Sequence, residues 1–327
     1  MLISDAQQLA NEEILRRNMD KLRHELGSVI CHALDDKEVI EIMVNPDGYI
    51  WLDRLSSGME RTGKKISPER LLAALGTIAA MLRTELNKHS PILEGELPLD
   101  GSRVEGVIPP VVRSASVSIR KHSSAVFPIS RYIAEGRISQ AGWDYLRDAI
   151  ETRKNILIAG GTGSGKTTFV NAILDALSRL REDDRVLILE DTVELQCKMP
   201  NVFGMRTDAK SSTTMQKLVR ASLRLRPDRI IVGEVRGGEA LDLLKSWNTG
   251  HPGGICTVHA NSARSSLIRM EQLISEVSKT PMKDLIGEAL DVVVFLKRVA
   301  QIGPIVAEIV EVDGIQDGDY VCKNIRT

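Results

Sequence analysis

Gly160-Gly161-Thr162-Gly163-Ser164-Gly165-Lys166-Thr167-Thr168 fits the pattern G-x-x-x-x-G-K-[ST]. The apolar run before it, residues 155–159, predicts a buried strand, and residues 169–177 carry apolar side chains at helical spacing. A loop that binds phosphate groups needs this position between a strand and the first turn of a helix. The sequence therefore predicts a phosphate loop, residues 160–167, within an α/β fold.

The residue types of the phosphate loop match the chemistry of a nucleotide site. Glycines allow positive φ angles and a close approach of the backbone to a ligand. The loop N–H groups and the helix amino terminus then attract phosphate. Lys166 would place a cation at the β- and γ-phosphates, and the Thr167 hydroxyl would ligate Mg²⁺. All nine residues of 160–168 are therefore candidate nucleotide-binding residues, and a chance glycine-rich turn is the weaker alternative.

The composition is that of a soluble globular protein with about two domains. The chain has 327 residues, of which 43% are hydrophobic and 27% charged. Its net charge of −1 and its aromatic content of 3% weigh against a nucleic-acid surface, which needs a basic field and stacking platforms. We therefore expect no direct sequence-specific contact with nucleic acid.

The cysteines and the apolar runs bear on the cellular compartment. The four cysteines match no metal-binding spacing and predict reduced thiols of a cytosolic protein: Cys31, Cys197, Cys256 and Cys322. The first residues lack a basic region followed by an apolar core, so no signal peptide is expected. No apolar run is long enough to span a bilayer, so any role at a membrane would act through partner proteins.

The apolar pattern divides the chain into two domains. Residues 1–121 mix helical and strand patterns and predict a smaller α+β domain. Residues 122–138 carry small residues and a proline without a helical period, which predicts a linker. Residues 139–327 alternate buried strands with helices, which predicts a mostly parallel sheet covered on both faces. Ligands of such a sheet bind at the carboxyl ends of its strands.

The individual strand predictions are short apolar runs, and the helix predictions follow a period of about 3.6 residues. In the first domain they are helices within 4–34 and from Ser67, and strands 39–44, 49–54, 96–99, 103–108 and 117–120. In the second domain they are helices 140–152, 215–225, 238–247, 262–277 and 282–290, and strands 186–189, 230–232, 255–258, 292–296, 305–310 and 319–322.

Two acidic motifs follow apolar runs of the second domain. Glu190-Asp191-Thr192-Val193-Glu194, here called the acidic box, would hold Mg²⁺ or orient an attacking water. Gly233-Glu234 ends the run 230–232, and the Glu234 carboxylate would reach Mg²⁺ directly or through water. The alternative for both motifs is a solvated turn or strand end. The phosphate loop in the same domain favours the site.

Two histidines flank the strand 255–258 within residues 250–261, here called the histidine box. Metal binding is one hypothesis for His251 and His259, but no cysteine or carboxylate stands at ligand spacing. The favoured hypothesis is a hydrogen bond from the histidine box to the γ-phosphate.

Arginines are a further source of positive charge, which phosphoryl transfer requires. Four precede or begin the strand that ends near Glu234, and three lie in the last strands of the first domain: Arg220, Arg224, Arg226, Arg229, Arg103, Arg113 and Arg120. For most of them a solvated face is the favoured interpretation. One or two are candidates for contact with the nucleotide.

With these motifs in place, the chain resembles a secretion ATPase of the type II/type IV (traffic ATPase) superfamily. Four family motifs occur in the family's order: the Walker A loop at 160–167, the acidic box, the Walker B strand ending in Gly233-Glu234, and the histidine box. The segment Glu41-Ile42-Met43-Val44-Asn45-Pro46-Asp47-Gly48, followed by Trp51, resembles TrbB-type conjugal transfer ATPases in particular. The absence of a cysteine-rich zinc motif also favours the conjugal branch.

The resemblance implies a homohexameric ring whose subunits carry an N-terminal domain and a RecA-like C-terminal domain, with ATP and Mg²⁺ between them. Arg103 and Arg120 match arginines that close onto the nucleotide, and Arg113 matches one that reaches a neighbouring subunit. Glu194 or Glu190 would position the water, which the sequence leaves open. Glu234 would act through Mg²⁺, and His259 would link the γ-phosphate to the moving domain.

The resemblance also implies a cytoplasmic protein peripheral to the inner membrane. Its partners would be other conjugation and type IV secretion proteins, and its work would be pilus biogenesis or substrate transfer. Two alternatives remain open at the level of sequence. One is a nucleic-acid-dependent RecA-like motor, and the other is a nucleotide switch that binds ATP without turnover.

Overall fold

The computed structural model describes residues 5–54, 57–121, 126–208, 211–299 and 302–325. The chain divides into two compact units, residues 1–124 and 125–327.

The first unit is a six-stranded antiparallel sheet with two helices, in the strand order β3-β2-β1-β6-β5-β4. Its elements are α1 (Asp5–Asp35), β1 (Val39–Val44), β2 (Tyr49–Arg54), β3 (Gly58–Lys65), α2 (Pro68–Met81), β4 (Ile92–Glu96), β5 (Arg103–Val107) and β6 (Ser116–Arg120). Alternate strand residues such as Ile42 and Ile119 are fully buried with Leu75 and Ile78 of α2. The predicted α+β architecture is therefore confirmed.

A kink at Gly27 divides α1 into two helical segments, because this residue has a φ of 83° inside the helix. The Arg70 guanidinium of α2 packs against Gly27, and its Nε donates to the carbonyl of Glu25 at 2.8 Å. Side chains larger than hydrogen disfavour positive φ, and a Cβ here would lie 3.2 Å from Arg70 Nη2. Although α1 has 31 residues, no helix in the described part of the chain is apolar enough over sufficient length to cross a bilayer.

The second unit is an eight-stranded sheet in the order β14-β13-β12-β7-β11-β10-β8-β9. Its elements are α3 (Ile129–Ala134), α4 (Gln140–Glu151), β7 (Ile156–Gly160), α5 (Lys166–Leu180), β8 (Val186–Glu190), β9 (Val202–Arg206), α6 (Met215–Ser222), β10 (Arg229–Val232), α7 (Glu239–Asn248), β11 (Ile255–Val258), α8 (Ala263–Ser275), α9 (Lys283–Ala289), β12 (Val292–Val299), β13 (Gly303–Gln316) and β14 (Asp319–Ile325). The six strands from β12 to β9 pair in parallel, and β13 and β14 add two antiparallel strands.

Both faces of this sheet are buried, as the continuous apolar strands predict. Leu157 and Ala159 of β7 enter a core with α6 to α9, whereas Ile156 and Ile158 enter a core with α3 to α5. The order places β7, β11, β10 and β8 side by side, so their carboxyl ends meet at one edge of the sheet. That edge is where the phosphate loop and the polar motifs begin.

The predicted linker differs from the structure. Its residues 122–125 lie outside the described residues, and residues 129–134 form α3. Ile129 and Tyr132 are buried in the second unit, where the Tyr132 ring packs edge-on against Phe169 with centroids 5.4 Å apart. A helix of six residues is too short to display a periodic pattern, so only its two buried side chains identify it.

Arg229 lies at the opposite edge of the sheet from the strand ends, because it is the first residue of β10. It is 1% exposed, and its Nε donates to Asp184 Oδ2 at 2.7 Å while Nη2 donates to the Ile150 carbonyl at 2.7 Å. Burial raises the pKa of Asp184, but Arg229 and Arg153 outweigh burial and hold that pKa below its usual value. Arg229 therefore has a structural contact set, and its candidacy as a nucleotide contact is wrong.

Candidate nucleotide site

The phosphate loop runs from the end of β7 into α5, as the sequence predicts. Gly163 and Gly165 have φ angles of 69° and 86°. A Cβ at Gly160 would lie 2.3 Å from Ser164 Oγ and 2.7 Å from the Leu296 carbonyl oxygen. These positions require glycine, because a side chain would be strained or would overlap its neighbours. The loop thus brings backbone groups to the amino end of α5.

Lys166 is the first residue of α5 and is 9% exposed. Its ammonium donates to the carbonyl oxygens of Gly160 at 2.9 Å and Gly161 at 3.1 Å, and lies 3.3 Å from His259 Nδ1. An ammonium group can only donate, so Nδ1 accepts and the ring proton sits on Nε2. The Nε2 atom is 3.0 Å from Glu234 Oε1. A chain Lys166–His259–Glu234 therefore joins the ends of β7, β11 and β10.

Glu190 ends β8 and is 6% exposed. Its Oε1 accepts from the backbone N–H groups of Glu194 and Leu195, both at 2.8 Å. The residues after β8 lack regular secondary structure up to Pro200, so their backbone donors need side-chain acceptors. The Glu190 side chain therefore holds the backbone of the acidic box in place, including the backbone of Glu194.

Asn171 also holds the acidic box, and the sequence analysis did not single it out. It lies on α5 with no exposed surface, donates from Nδ2 to the Glu194 carbonyl at 3.2 Å, and accepts at Oδ1 from the Gln196 N–H at 2.8 Å. A buried asparagine on a helix one turn after Thr167 could have indicated such a contact, because buried amides need partners.

Replacing Asn171 with Ala should loosen the acidic box. Two partly buried backbone groups would each lose one hydrogen bond, which costs about 0.5–1.5 kcal/mol each. We expect hydrogen exchange at the Gln196 amide to become about tenfold faster or more, with smaller changes elsewhere in α5. Mass-spectrometric hydrogen exchange of the segment 190–199 measures this change. Asn248→Ala is the control, since Asn248 is exposed at the end of α7 and donates to Glu288 of α9 at 3.2 Å. Equal exchange in the two variants would contradict the role of Asn171.

Arg236 is a second residue at this edge that the sequence analysis did not single out. Its Nη2 donates to Glu234 Oε2 at 2.8 Å, and its Nη1 lies 3.7 Å from Asp191 Oδ2. The hydrogen bond to Glu234, with the charges of Asp191 and Glu194, raises the pKa of Arg236. One guanidinium therefore faces carboxylates from two strand ends.

Other predicted site residues lie in three places. Thr167 and Thr168 lie half-buried in the first turn of α5, beside the loop. Arg103 and Arg120 belong to the first unit, where they lie directly opposite each other on β5 and β6. The arginine Arg220 pairs with Asp242 on the surface of the second unit, as a solvated ion pair does.

The residues at this edge fit a nucleotide with Mg²⁺. Among the described residues, no side chain caps the amino end of α5, whose N–H groups favour an anion. Ser164 is 4% exposed, and its hydroxyl is a buried polar atom for which the described residues offer no hydrogen-bond partner. Thr167 and Glu234 supply the oxygen atoms that Mg²⁺ prefers. The donor set thus matches both the phosphates and the cation.

Comparison with known proteins gives a consistent result. The model of the family described as type II/IV secretion system protein matches residues 29–317. The chain is 44% identical over 304 residues to the probable conjugal transfer protein TrbB of Sinorhizobium fredii (strain NBRC 101917 / NGR234), covering 93% of this chain and 92% of the relative. It is 43% identical over 304 residues to the conjugal transfer protein TrbB of Rhizobium radiobacter, covering 93% of both.

A solved structure shares the fold. The ATPase DotB of Legionella pneumophila is 19% identical, with a TM-score of 0.62 over 83% of this chain and 76% of that chain. The resemblance inferred from the four motifs and the α/β fold class are both confirmed by these similarities.

Proposed function

The chain belongs to the family of type II/IV secretion system proteins, and from that premise we propose that it hydrolyses ATP to ADP and phosphate with Mg²⁺. It acts as a homohexamer that powers conjugative pilus biogenesis or substrate transfer in a type IV secretion system. It works from the cytoplasm at the inner membrane, with other conjugation proteins as partners. The observation that carries the proposal is the Lys166–His259–Glu234 chain, which connects the phosphate loop to two further strand ends.

Each proposed role follows from the position of the side chain. Bound Mg²⁺ would neutralise charge on the phosphates and polarise them. Lys166 places its ammonium at the amino end of α5, where the β- and γ-phosphates would lie. Thr167 and Glu234 would hold the cation. His259, once protonated at Nδ1, would donate to the γ-phosphate in place of its Lys166 contact. The phosphate loop supplies backbone donors from residues 160–168.

Glu194 is the proposed general base, rather than Glu190. The Glu190 carboxylate is buried and accepts two backbone N–H groups, whereas the half-buried Glu194 is presented by the loop that those bonds shape. Arg103 and Arg120 would add positive charge to the phosphates from the first unit. Their direct cross-strand pairing supports a joint role, because both side chains project from the same face of that sheet.

Glutamine substitutions separate the two glutamates of the acidic box. Glu194→Gln removes the base and should lower ATP turnover about 10²-fold or more while nucleotide binding persists. Glu190→Gln retains an acceptor oxygen for the two N–H groups, so turnover should stay within about tenfold of the wild type. Steady-state ATPase assays together with nucleotide-binding titrations measure both effects. The reverse order of the two losses would assign the base to Glu190.

ATP turnover by the purified chain, read with its mass in solution with and without ATP and Mg²⁺, tests the proposal as a whole. Turnover by a species of about six subunits is the expected result. Turnover that rises strongly with single-stranded DNA would instead favour the nucleic-acid motor. ATP that stays bound without turnover would favour the nucleotide switch.

A further inference from the structure

Arg236 stands between the Walker B strand and the acidic box. Its guanidinium bonds Glu234 Oε2 at 2.8 Å and is 3.7 Å from Asp191 Oδ2. The other oxygen of Glu234 faces His259 Nε2 at 3.0 Å. Both carboxylate oxygens of Glu234 therefore already have donors from this chain. Any cation that Glu234 binds must share or replace one of these donors.

The two donors on Glu234 differ in what replacing them would require. His259 is proposed above to contact the γ-phosphate, so its ring must stay beside the phosphate loop, where it now faces Lys166. Arg236 has a second carboxylate within reach, and its side chain is 55% exposed, which leaves room for rotation. The Asp191 carboxylate is held in position to accept the guanidinium, because Thr207 Oγ1 donates to its Oδ1 at 2.9 Å.

The backbone at Arg236 is anchored independently of the guanidinium. Glu239 Oε1 accepts from the N–H groups of Arg236 at 2.7 Å and of Gly237 at 2.9 Å. Rotation of the side chain from Glu234 to Asp191 would therefore leave the strand end in place. The guanidinium would keep an ionic partner in both positions, which avoids the cost of an unpaired charge.

We propose that Arg236 is a positioning residue that competes with Mg²⁺ for the Glu234 carboxylate and moves to Asp191 when the cation is held. Arg236 thereby sets the Mg²⁺ concentration at which the site binds ATP, and it ties Mg²⁺ binding to the position of the acidic box. The inference rests on the proposed function, since it takes Mg²⁺ and ATP as the ligands.

The half-saturating Mg²⁺ concentration for binding a fluorescent ATP analogue, methylanthraniloyl-ATP, tests this competition without relying on turnover. Arg236→Gln frees one oxygen of Glu234, so the half-saturating Mg²⁺ concentration should fall about threefold to tenfold, as expected for losing one charged hydrogen bond at a partly exposed site. Asp191→Asn weakens the alternative partner of Arg236. In this variant the half-saturating Mg²⁺ concentration should rise about twofold or more.

Arg220→Gln is the matched control, because Arg220 pairs with Asp242 away from the strand ends and should leave the Mg²⁺ requirement unchanged. Opposite shifts in the Arg236 and Asp191 variants support the proposal. An equal or higher Mg²⁺ requirement in Arg236→Gln, with binding intact in the wild type and in Arg220→Gln, overturns it. The Asp191 variant keeps the test decisive if Arg236→Gln does not fold. Failure of the wild type itself to bind the analogue would instead refute the proposed function.

Discussion

Replacing Lys166 with Ala should reduce ATP turnover about 10²- to 10³-fold, which is the usual cost of removing one preorganised charge partner from a reacting group. Lys166 is 9% exposed at the amino end of α5, so its charge acts at a site largely shielded from solvent. The variant also releases His259, whose Nδ1 faces the Lys166 ammonium at 3.3 Å. Steady-state phosphate release, measured at saturating ATP and Mg²⁺, gives the size of the loss.

Lys245→Ala provides the matched control for this change. Lys245 is an exposed lysine in the last turn of α7, and its loss should leave turnover within about twofold. Circular dichroism and thermal melting of both variants should stay close to the wild type, because the hydrogen bonds that Lys166 donates to the loop carbonyl oxygens and to His259 lie at the strand ends rather than in the apolar core. Undiminished turnover in Lys166→Ala would remove the phosphate loop from the proposed reaction.

Replacing Arg229 with Met should destabilise the second unit by about 3–5 kcal/mol, since it leaves a buried carboxylate without its main partner. Asp184 is 3% exposed and bonds Arg229 Nε at 2.7 Å. The Arg229 guanidinium also donates to the carbonyl groups of Ile150 and Gly253, and each would lose this hydrogen bond. Arg153 remains 2.5 Å from Asp184 and still pairs with it, so the loss of stability should not exceed about 5 kcal/mol.

Urea unfolding, followed by circular dichroism, measures this loss as a fall of about 1 M or more in the transition midpoint. Arg220→Met is the control, because its pair with Asp242 is mostly exposed and such pairs contribute less than about 1 kcal/mol. A midpoint in Arg229→Met as high as that in Arg220→Met would show that the buried pair contributes no more than a surface pair.

The parts of the fold that could be predicted are those with strong local patterns. The buried strands β7, β8, β10 and β11 are continuous apolar runs, and the structure places each within one or two residues of its prediction. The phosphate loop, Glu190, Glu234 and His259 follow from these strands, because the carboxyl ends of parallel neighbours share an edge.

The missed elements lack such patterns for physical reasons. β3 (Gly58–Lys65) lies at the edge of its sheet, and none of its residues is fully buried. β9 is the edge strand of the second sheet and is also mostly exposed. An edge strand gains its structure from one neighbour's backbone, so its sequence carries little hydrophobic signal.

The site contacts that escaped prediction depend on distance in space rather than on local pattern. Asn171 meets the acidic box across 23 to 25 residues of chain, and Arg236 meets Asp191 across two strand ends. Arg229 shows the converse error, since it stands close to Glu234 in sequence but at the other end of the same strand. Two residues that are close in sequence can lie at opposite ends of one strand, and only the residue at the carboxyl end then lies near the site.

The strand order of the second sheet leaves β7 without a paired neighbour for much of the time that the ribosome is synthesising the chain. The strand that leads into the phosphate loop, β7, has β11 and β12 as its two neighbours in the sheet, and β11 begins roughly 95 residues after β7 ends. At about 5–20 residues per second, the growing chain carries β7 without either neighbour for about 5–20 seconds. During this time its four hydrophobic residues and its unpaired backbone groups are open to pairing with other chains. Of the strands in the second sheet, β7 therefore waits longest for its neighbours during synthesis.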